Sequence, residues 1–232
     1  MSLLGSNYAA LIAEGNLALG KNLFKEALKI FIKASNMSEG NNKQAEAVQL
    51  IGIASRLNGD YRRSEEAFKR ALVHTNDPMI KAKIQRDLGM TYLDKANSIK
   101  RNQPYRHAEI ETLYKKAEER FSNSIYAMRC PHEELGMSRS FMARLHFSKN
   151  DKESARSDFE RAHDEIKGKN DTYELNNLIW LARSSIICRW IYAWRAIQLA
   201  VKTGASRRWK EYLIILVGGN LLYEKIAAKV RP

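Results

Sequence analysis

The stretch Glu14–Ala34, EGNLALGKNLFKEALKIFIKA, decides how this chain is read. Gly15, Gly20 and Lys21 stand as G-x-x-x-x-G-K, most of a phosphate-binding loop. Such a loop wraps a phosphate with backbone N–H groups and needs a Ser or Thr after its Lys to hold Mg²⁺. Asn22 occupies that place here. A phosphate loop also follows a buried strand, whereas NYAALIAE, from Asn7 to Glu14, is rich in the helix formers Ala, Leu and Glu. Leu17, Ala18 and Leu19 continue the helical spacing from Leu11. The competing reading is a helix ending near Gly20, a turn, and a second helix.

A recurrence decides between the two. Gly15, Phe24, Ala27, Phe31 and Ala34 return 37 residues later as Gly52, Tyr61, Ser64, Phe68 and Ala71. They return again as Gly89, Tyr114, Ala117, Phe121 and Ser124, and a fourth time as Ala143, Ala155, Phe159 and Ala162. The second unit has the landmarks without any Gly-Lys, so one explanation covers both stretches and the nucleotide reading covers one. The physical content is a helical hairpin. A small residue on the first helix lets its partner approach, and Ala, Phe and Ala at i, i+4 and i+7 form one face of the second. NGDY at Asn58–Tyr61 and KND at Lys149–Asp151 read as the turns between helices. Asp77-Pro78 and Cys130-Pro131 read as ends of second helices.

This set resembles the tetratricopeptide repeat (TPR) family over about residues 8–166. The resemblance implies an all-α, right-handed α–α solenoid of about four hairpins with a C-terminal helical cap. It departs from the family at the first-helix Trp position, which is Leu11, Val48, Gln85 and Arg139 here, and keeps the first-helix Tyr only at Tyr92. By the same resemblance the concave face binds peptides or helices of partner proteins. The lining candidates are Ile12, Asn16, Gln49, Ile53, Arg56, Lys83, Arg86, Met90, Phe141 and Arg144. Some family members clamp a C-terminal carboxylate with five polar or basic residues. Asn16 and Lys83 match two of those positions, but Ile12, Leu50 and Asp87 fill the others, so no such clamp is expected.

The organisation expected is a repeat solenoid over residues 1–171 and basic, Trp-rich capping helices over 172–232. The aromatic spacings of 37, 53 and 38 place extra residues in the third unit. They predict that both its helices are lengthened, over about 93–121, and meet near Arg101–Pro104. Lys95, Lys100, Arg101, Arg106 and His107 gather at that tip. Residues 172–203 read as one long helix, apolar nearly all round, with Trp180, Trp190 and Trp194. A final helix is expected over about Ser206–Val230, with Ser206 as its N-cap. Such a pair would seal the open end, since terminal units of a repeat array differ from internal ones. Trp and Arg there equally suit an interface.

The net charge of +13 is uneven, because residues 175–232 carry ten basic and only two acidic side chains. That block, with Arg207, Arg208 and Lys210, and the third-unit tip form the basic surface. Nucleic-acid binding by this surface is the alternative function, though no helix-turn-helix or RNA-binding motif is visible. Weak non-specific binding is expected from charge alone. Membrane-surface binding is disfavoured, and internal arginines argue against a spanning helix. Self-association stays open. No secretory leader is read at the N-terminus, which lacks a basic region and is interrupted by Glu14. Cys130 and Cys188 form no C-x-x-C motif and read as reduced thiols of a cytoplasmic protein. The five histidines show no metal spacing. HEELG at His132 has Gly136 where a second His must stand, and reads as a helix start. No catalytic constellation, cofactor or metal site is expected. The reading is a non-catalytic scaffold binding another protein through a segment with acidic and apolar residues.

Overall fold

The computed structural model describes residues 3–127, 132–185 and 189–204. The described residues form ten helices and no strand: α1 (Leu3–Gly20), α2 (Phe24–Asn36), α3 (Asn41–Leu57), α4 (Tyr61–Val73), α5 (Pro78–Asn102), α6 (His107–Ala127), α7 (His132–Ser148), α8 (Lys152–Ile166), α9 (Asp171–Ser184) and α10 (Arg189–Lys202). The chain divides into two compact units between Met128 and Arg129. The first holds three hairpins, α1–α2, α3–α4 and α5–α6. The second holds α7–α8 and α9–α10.

The small-to-large pairing explains why these helices pack as they do. Phe31, Phe68 and Phe121 are fully buried. Each rests on the glycine of its own hairpin. A Cβ built on Gly52 would lie 2.8 Å from Phe68 Cε1, and one on Gly89 would lie 2.7 Å from Phe121 Cε1. Gly15 meets Phe31 in the same way. A carbon–carbon contact is comfortable only near 3.5–4.0 Å, so each ring takes the space that a side chain would fill.

The hairpin turn repeats as well. Asn22, Gly59 and Asn150 each stand two residues before a second helix with φ of 61°, 82° and 67°. The next residue then donates its N–H to the carbonyl five residues back. Leu23 to Ala18, Asp60 to Ser55 and Asp151 to His146 are each 2.9 Å. Asp60 and Asp151 also cap the helices that follow, accepting from Arg63 N–H and Ser154 N–H. The apparent phosphate loop is therefore a helix end. Gly15 and Gly20 lie in α1, and the N–H groups of Lys21, Asn22 and Leu23 are spent on Leu17, Leu19 and Ala18 carbonyls.

In the third hairpin α5 has 25 residues and α6 has 21. The extension has its own core, in which Leu93, Ala96, Ile110, Leu113 and Tyr114 are buried. Tyr114 closes it by donating to Asn97 Oδ1 at 3.0 Å. Asp77-Pro78 acts at a different point from the one expected. α4 already ends at Val73; Asp77 caps α5 by accepting from Met79 and Ile80 N–H, and Pro78 is the first residue of that helix. Cys130-Pro131 lies outside the described residues.

Residues 172–203 are not one long helix. α9 stops at Ser184, Ser185 is extended (φ −99°, ψ 128°), and α10 packs back on α9. The reason is burial on two sides. Leu175, Leu178 and Leu181 of α9 and Ala193, Ala196 and Ala200 of α10 enter one core with Phe159 of α8. A single straight helix of that length would run nearly 50 Å and carry one set away from it. The pair is a fifth hairpin, because Ala193, Ile197 and Ala200 repeat Ala155, Phe159 and Ala162 at 38 residues.

Candidate partner-binding surface

In the first unit the first helices α1, α3 and α5 are tied by polar contacts that recur at i, i+38. Tyr8 of α1 donates to Glu46 Oε2 of α3 at 2.9 Å. Gln49 of α3 donates to Asp87 Oδ2 of α5 at 2.7 Å. Arg56 pairs with Asp94 Oδ2 at 2.6 Å, with side chains 15% and 34% exposed. These positions are one residue beyond the 37-residue repeat, so adjacent first helices are offset by one position. Burial, and then the hydrogen bond to Glu46, push the Tyr8 phenol above its usual pKa of 10. Burial and the Glu65 carboxylate likewise push Tyr92 up to about 12, since Tyr92 donates to Glu65 of α4 at 3.0 Å.

This arrangement redistributes the expected lining. Asn16 is exposed, and Ile53 and Lys83 are half-buried. Ile12 is half-buried and packs on the Phe31 cluster. Gln49 and Arg56 serve the cross-helix contacts. Arg86 and Met90 do not project to a partner, each being only 6% exposed. The Arg86 Nε lies 3.4 Å from Asp87 Oδ1. Helical spacing placed these side chains on the first-helix face, but α5 is packed on both α3 and α4, and the space beside it is filled. The pairing of Gln49 with Asp87 and of Arg56 with Asp94 was not read from the sequence. Its signal was a donor 38 residues earlier, Gln49 for Asp87 and the cationic Arg56 for Asp94, which appears only once the offset is known.

In the second unit Phe141 and Arg144 of α7 do come together, and Trp180 and Arg183 of α9 join them. The Arg144 guanidinium lies 5.5 Å from the Phe141 ring centre and 4.7 Å from that of Trp180. Arg183 lies 4.2 Å from Trp180 and 5.7 Å from Phe147. Phe159 stacks on Trp180 at 5.9 Å and 13°, and Phe147 meets it edge-on at 5.6 Å and 74°. Trp180, which the sequence places in the expected terminal cap, sits at the centre of this cluster. Phe141, Arg144, Phe147, Trp180 and Arg183 are all half-buried, so the cluster reaches the surface. Each cation–π contact of this kind contributes about 0.5–2 kcal/mol.

Only the α5–α6 part of the expected basic surface falls among the described residues. Lys100, Arg101 and Arg106 are exposed at the α5–α6 tip, while Lys95 is half-buried. Arg106 pairs with Glu109 and donates to Gln103 Oε1, so part of its charge is offset locally. Arg207, Arg208 and Lys210, and the helix expected from Ser206, lie outside the described residues, as does Cys188. α7 begins at His132 with Glu133 and Glu134 in its first turn, where carboxylates favour the positive helix end. Among the described residues no three His, Cys, Asp or Glu side chains gather as metal ligands. Among them, too, no helix is long and apolar enough to cross a membrane.

No protein-family model matches the sequence, and no curated protein matches it. Solved structures do. A signal-transduction ATPase from Pyrococcus horikoshii with a tetratricopeptide repeat sensor aligns over 97% of this chain at 16% identity and a TM-score of 0.61; this chain spans 35% of it. A kinesin light chain from Podosopora anserina with nearly identical TPR-like repeats aligns over 88% of this chain and 99% of its own, at 12% identity and a TM-score of 0.60. BtubC (BKLC) from P. vanneervenii aligns over 88% and 93%, at 15% identity and a TM-score of 0.54. At these identities the likeness shows the fold, a TPR-like repeat of helical hairpins.

Proposed function

We propose that the protein is a non-catalytic interaction scaffold whose first-helix faces hold a peptide or helix of another protein. One observation carries this reading. Phe141, Arg144, Phe147, Trp180 and Arg183 form a half-buried aromatic–guanidinium surface on α7 and α9. Trp and Arg are the residues most enriched where interface energy concentrates. A guanidinium stacked on a ring presents its planar N–H edge to carboxylates, and the rings accept apolar side chains. The partner segment therefore carries acidic and apolar residues together. In the first unit Asn16, Ile53 and Lys83 supply a second, weaker set of contacts.

The test is capture from a nuclease-treated lysate of the source cells, comparing wild type with Arg144→Glu and Phe141→Glu. Circular dichroism must first show that both variants are folded. The expected result is one or more proteins held by wild type and released by both substitutions. Equal capture by wild type and both variants would remove this surface from the reading. Loss of all capture on nuclease treatment would favour nucleic acid instead.

A further inference from the structure

Lys21, Lys25, Lys29 and Lys33 stand at every fourth position through the first hairpin turn and α2. All four are exposed. At 100° per residue, Lys25, Lys29 and Lys33 form a row about 12 Å long within about 80° of arc. The opposite face of α2 is the buried one, with Ala27, Phe31 and Ala34. Glu26 is the only carboxylate between Gly15 and Ser38, so that stretch carries four positive charges and one negative.

The same row on the other second helices is broken. Aligned on Phe31, Phe68, Phe121 and Phe159, the place of Lys29 is taken by Glu66, Glu119 and Ser157. On α4, Glu66 accepts from Arg62 at 3.1 Å, and Lys69 pairs with Glu65 at 2.7 Å. On α8, Arg156 pairs with Glu160 at 2.9 Å. Among the described residues none of the four lysines of the α2 row forms an ion pair. Like charges four residues apart destabilise a helix. Lys25 also lies in the first turn of α2, where the helix dipole disfavours a cation. The row therefore works against the helix that carries it and takes no part in the core.

Its chemistry selects a partner. Lysine is depleted at protein–protein interfaces, where Arg and aromatic residues concentrate, and α2 exposes neither. A helix lying on a membrane turns its apolar face to the lipid, and that face of α2 is enclosed in its own hairpin. Binding of unpaired bases relies on aromatic rings. Phosphate alone remains. An ammonium group is a compact charge without a fixed fork, so a row of them follows phosphates without reading bases. Each step of the row is about 6 Å, close to two successive steps of roughly 3.4 Å along one strand of a duplex.

We infer that Lys21, Lys25, Lys29 and Lys33 form a docking row for the phosphate backbone of a nucleic-acid duplex, held by charge and without base preference. The row belongs to the first unit and the aromatic–guanidinium surface to the second, so neither reading depends on the other.

The test is fluorescence anisotropy of a labelled DNA duplex of about 20 base pairs with the full chain, from about 50 to 200 mM salt. Each phosphate contact adds about 0.9 to the steepness of log affinity against log salt. Replacing Lys25, Lys29 and Lys33 together by Gln should lower that steepness by about 2–3 and weaken low-salt binding about tenfold or more. Circular dichroism should show the helices retained, since like-charge repulsion is removed. Lys29→Glu alone gives α2 the charge order of α4 and should lower the steepness by about 1 or more, which keeps the test decisive if the triple variant unfolds. Arg63→Gln with Lys69→Gln and Arg70→Gln removes the same net charge from α4 and should lower it by less than about 1. Equal losses in both triple variants would overturn the inference, because net charge alone would then explain binding. So would a steepness that the α2 substitutions leave unchanged. So would a row that holds phosphatidylcholine–phosphatidylglycerol vesicles or polyglutamate but not the duplex.

Discussion

Replacing Gly52 by Ala tests the packing rule on which the fold is built. Two effects oppose each other. In a helix interior Ala is favoured over Gly by about 1 kcal/mol. Against this, the new Cβ would lie 2.8 Å from both Cε1 and Cζ of Phe68, and 3.0 Å from Cδ1. Relief requires the ring to retreat by nearly 1 Å, but Phe68 is fully buried. Overpacking of this kind costs about 1–3 kcal/mol, and the enclosed ring places this case in the upper half. The net expectation is a loss of about 1–2 kcal/mol. Gly20→Ala is the matched control, because nothing lies within 4 Å of a Cβ there, and it should be neutral or mildly stabilising. Urea unfolding followed by far-ultraviolet circular dichroism reads both, provided the slope with denaturant is unchanged. Phe68→Leu should be destabilising alone yet couple favourably with Gly52→Ala, by about 1–2 kcal/mol in a double-mutant cycle. If Gly52→Ala behaves like Gly20→Ala, or the coupling is zero, the glycine–phenylalanine fit does not hold the hairpin together.

Three further outcomes follow from the same geometry. Burial holds His163 below the 6.5 of a free histidine, so the unfolded chain takes up its proton first as pH falls. This contribution is intact above pH 6.5 and is lost below it at up to about 1.4 kcal/mol per pH unit. His163→Gln should flatten the stability profile there, and an unchanged slope would refute the assignment. For Arg56 and Asp94, a half-buried pair at 2.6 Å, Arg56→Ala should cost about 1 kcal/mol; combining Arg56→Glu with Asp94→Arg should recover most of what Arg56→Glu loses, and a cycle with no coupling would show that the pair contributes nothing. Fluorescence anisotropy with labelled RNA or DNA near physiological salt should give a dissociation constant of about 10⁻⁵ M or weaker, without sequence preference; tight selective binding abolished by reversing Arg207, Arg208 and Lys210 would promote nucleic acid over protein as the partner.

The hairpins were legible in the sequence because their determinants are local and periodic. Gly52 and Phe68 are 16 residues apart and meet within one hairpin, and in three hairpins the Asn or Gly of the turn lies two residues before the second helix. The same economy identified Gly20-Lys21 as a helix end. The fifth hairpin was hidden for two physical reasons. Ile197 stands where the other units carry Phe, and a helix apolar all round has no phase from which to read a reversal. Only the shared core of α8, α9 and α10 decided that the chain turns back at Ser185. Contacts between neighbouring first helices were also out of reach. Whether Arg56 finds Asp94, or Arg86 becomes buried, depends on a one-residue offset between helices 38 residues apart. A sequence states which side chains share a helix face; how the next helix crosses that face is decided by packing.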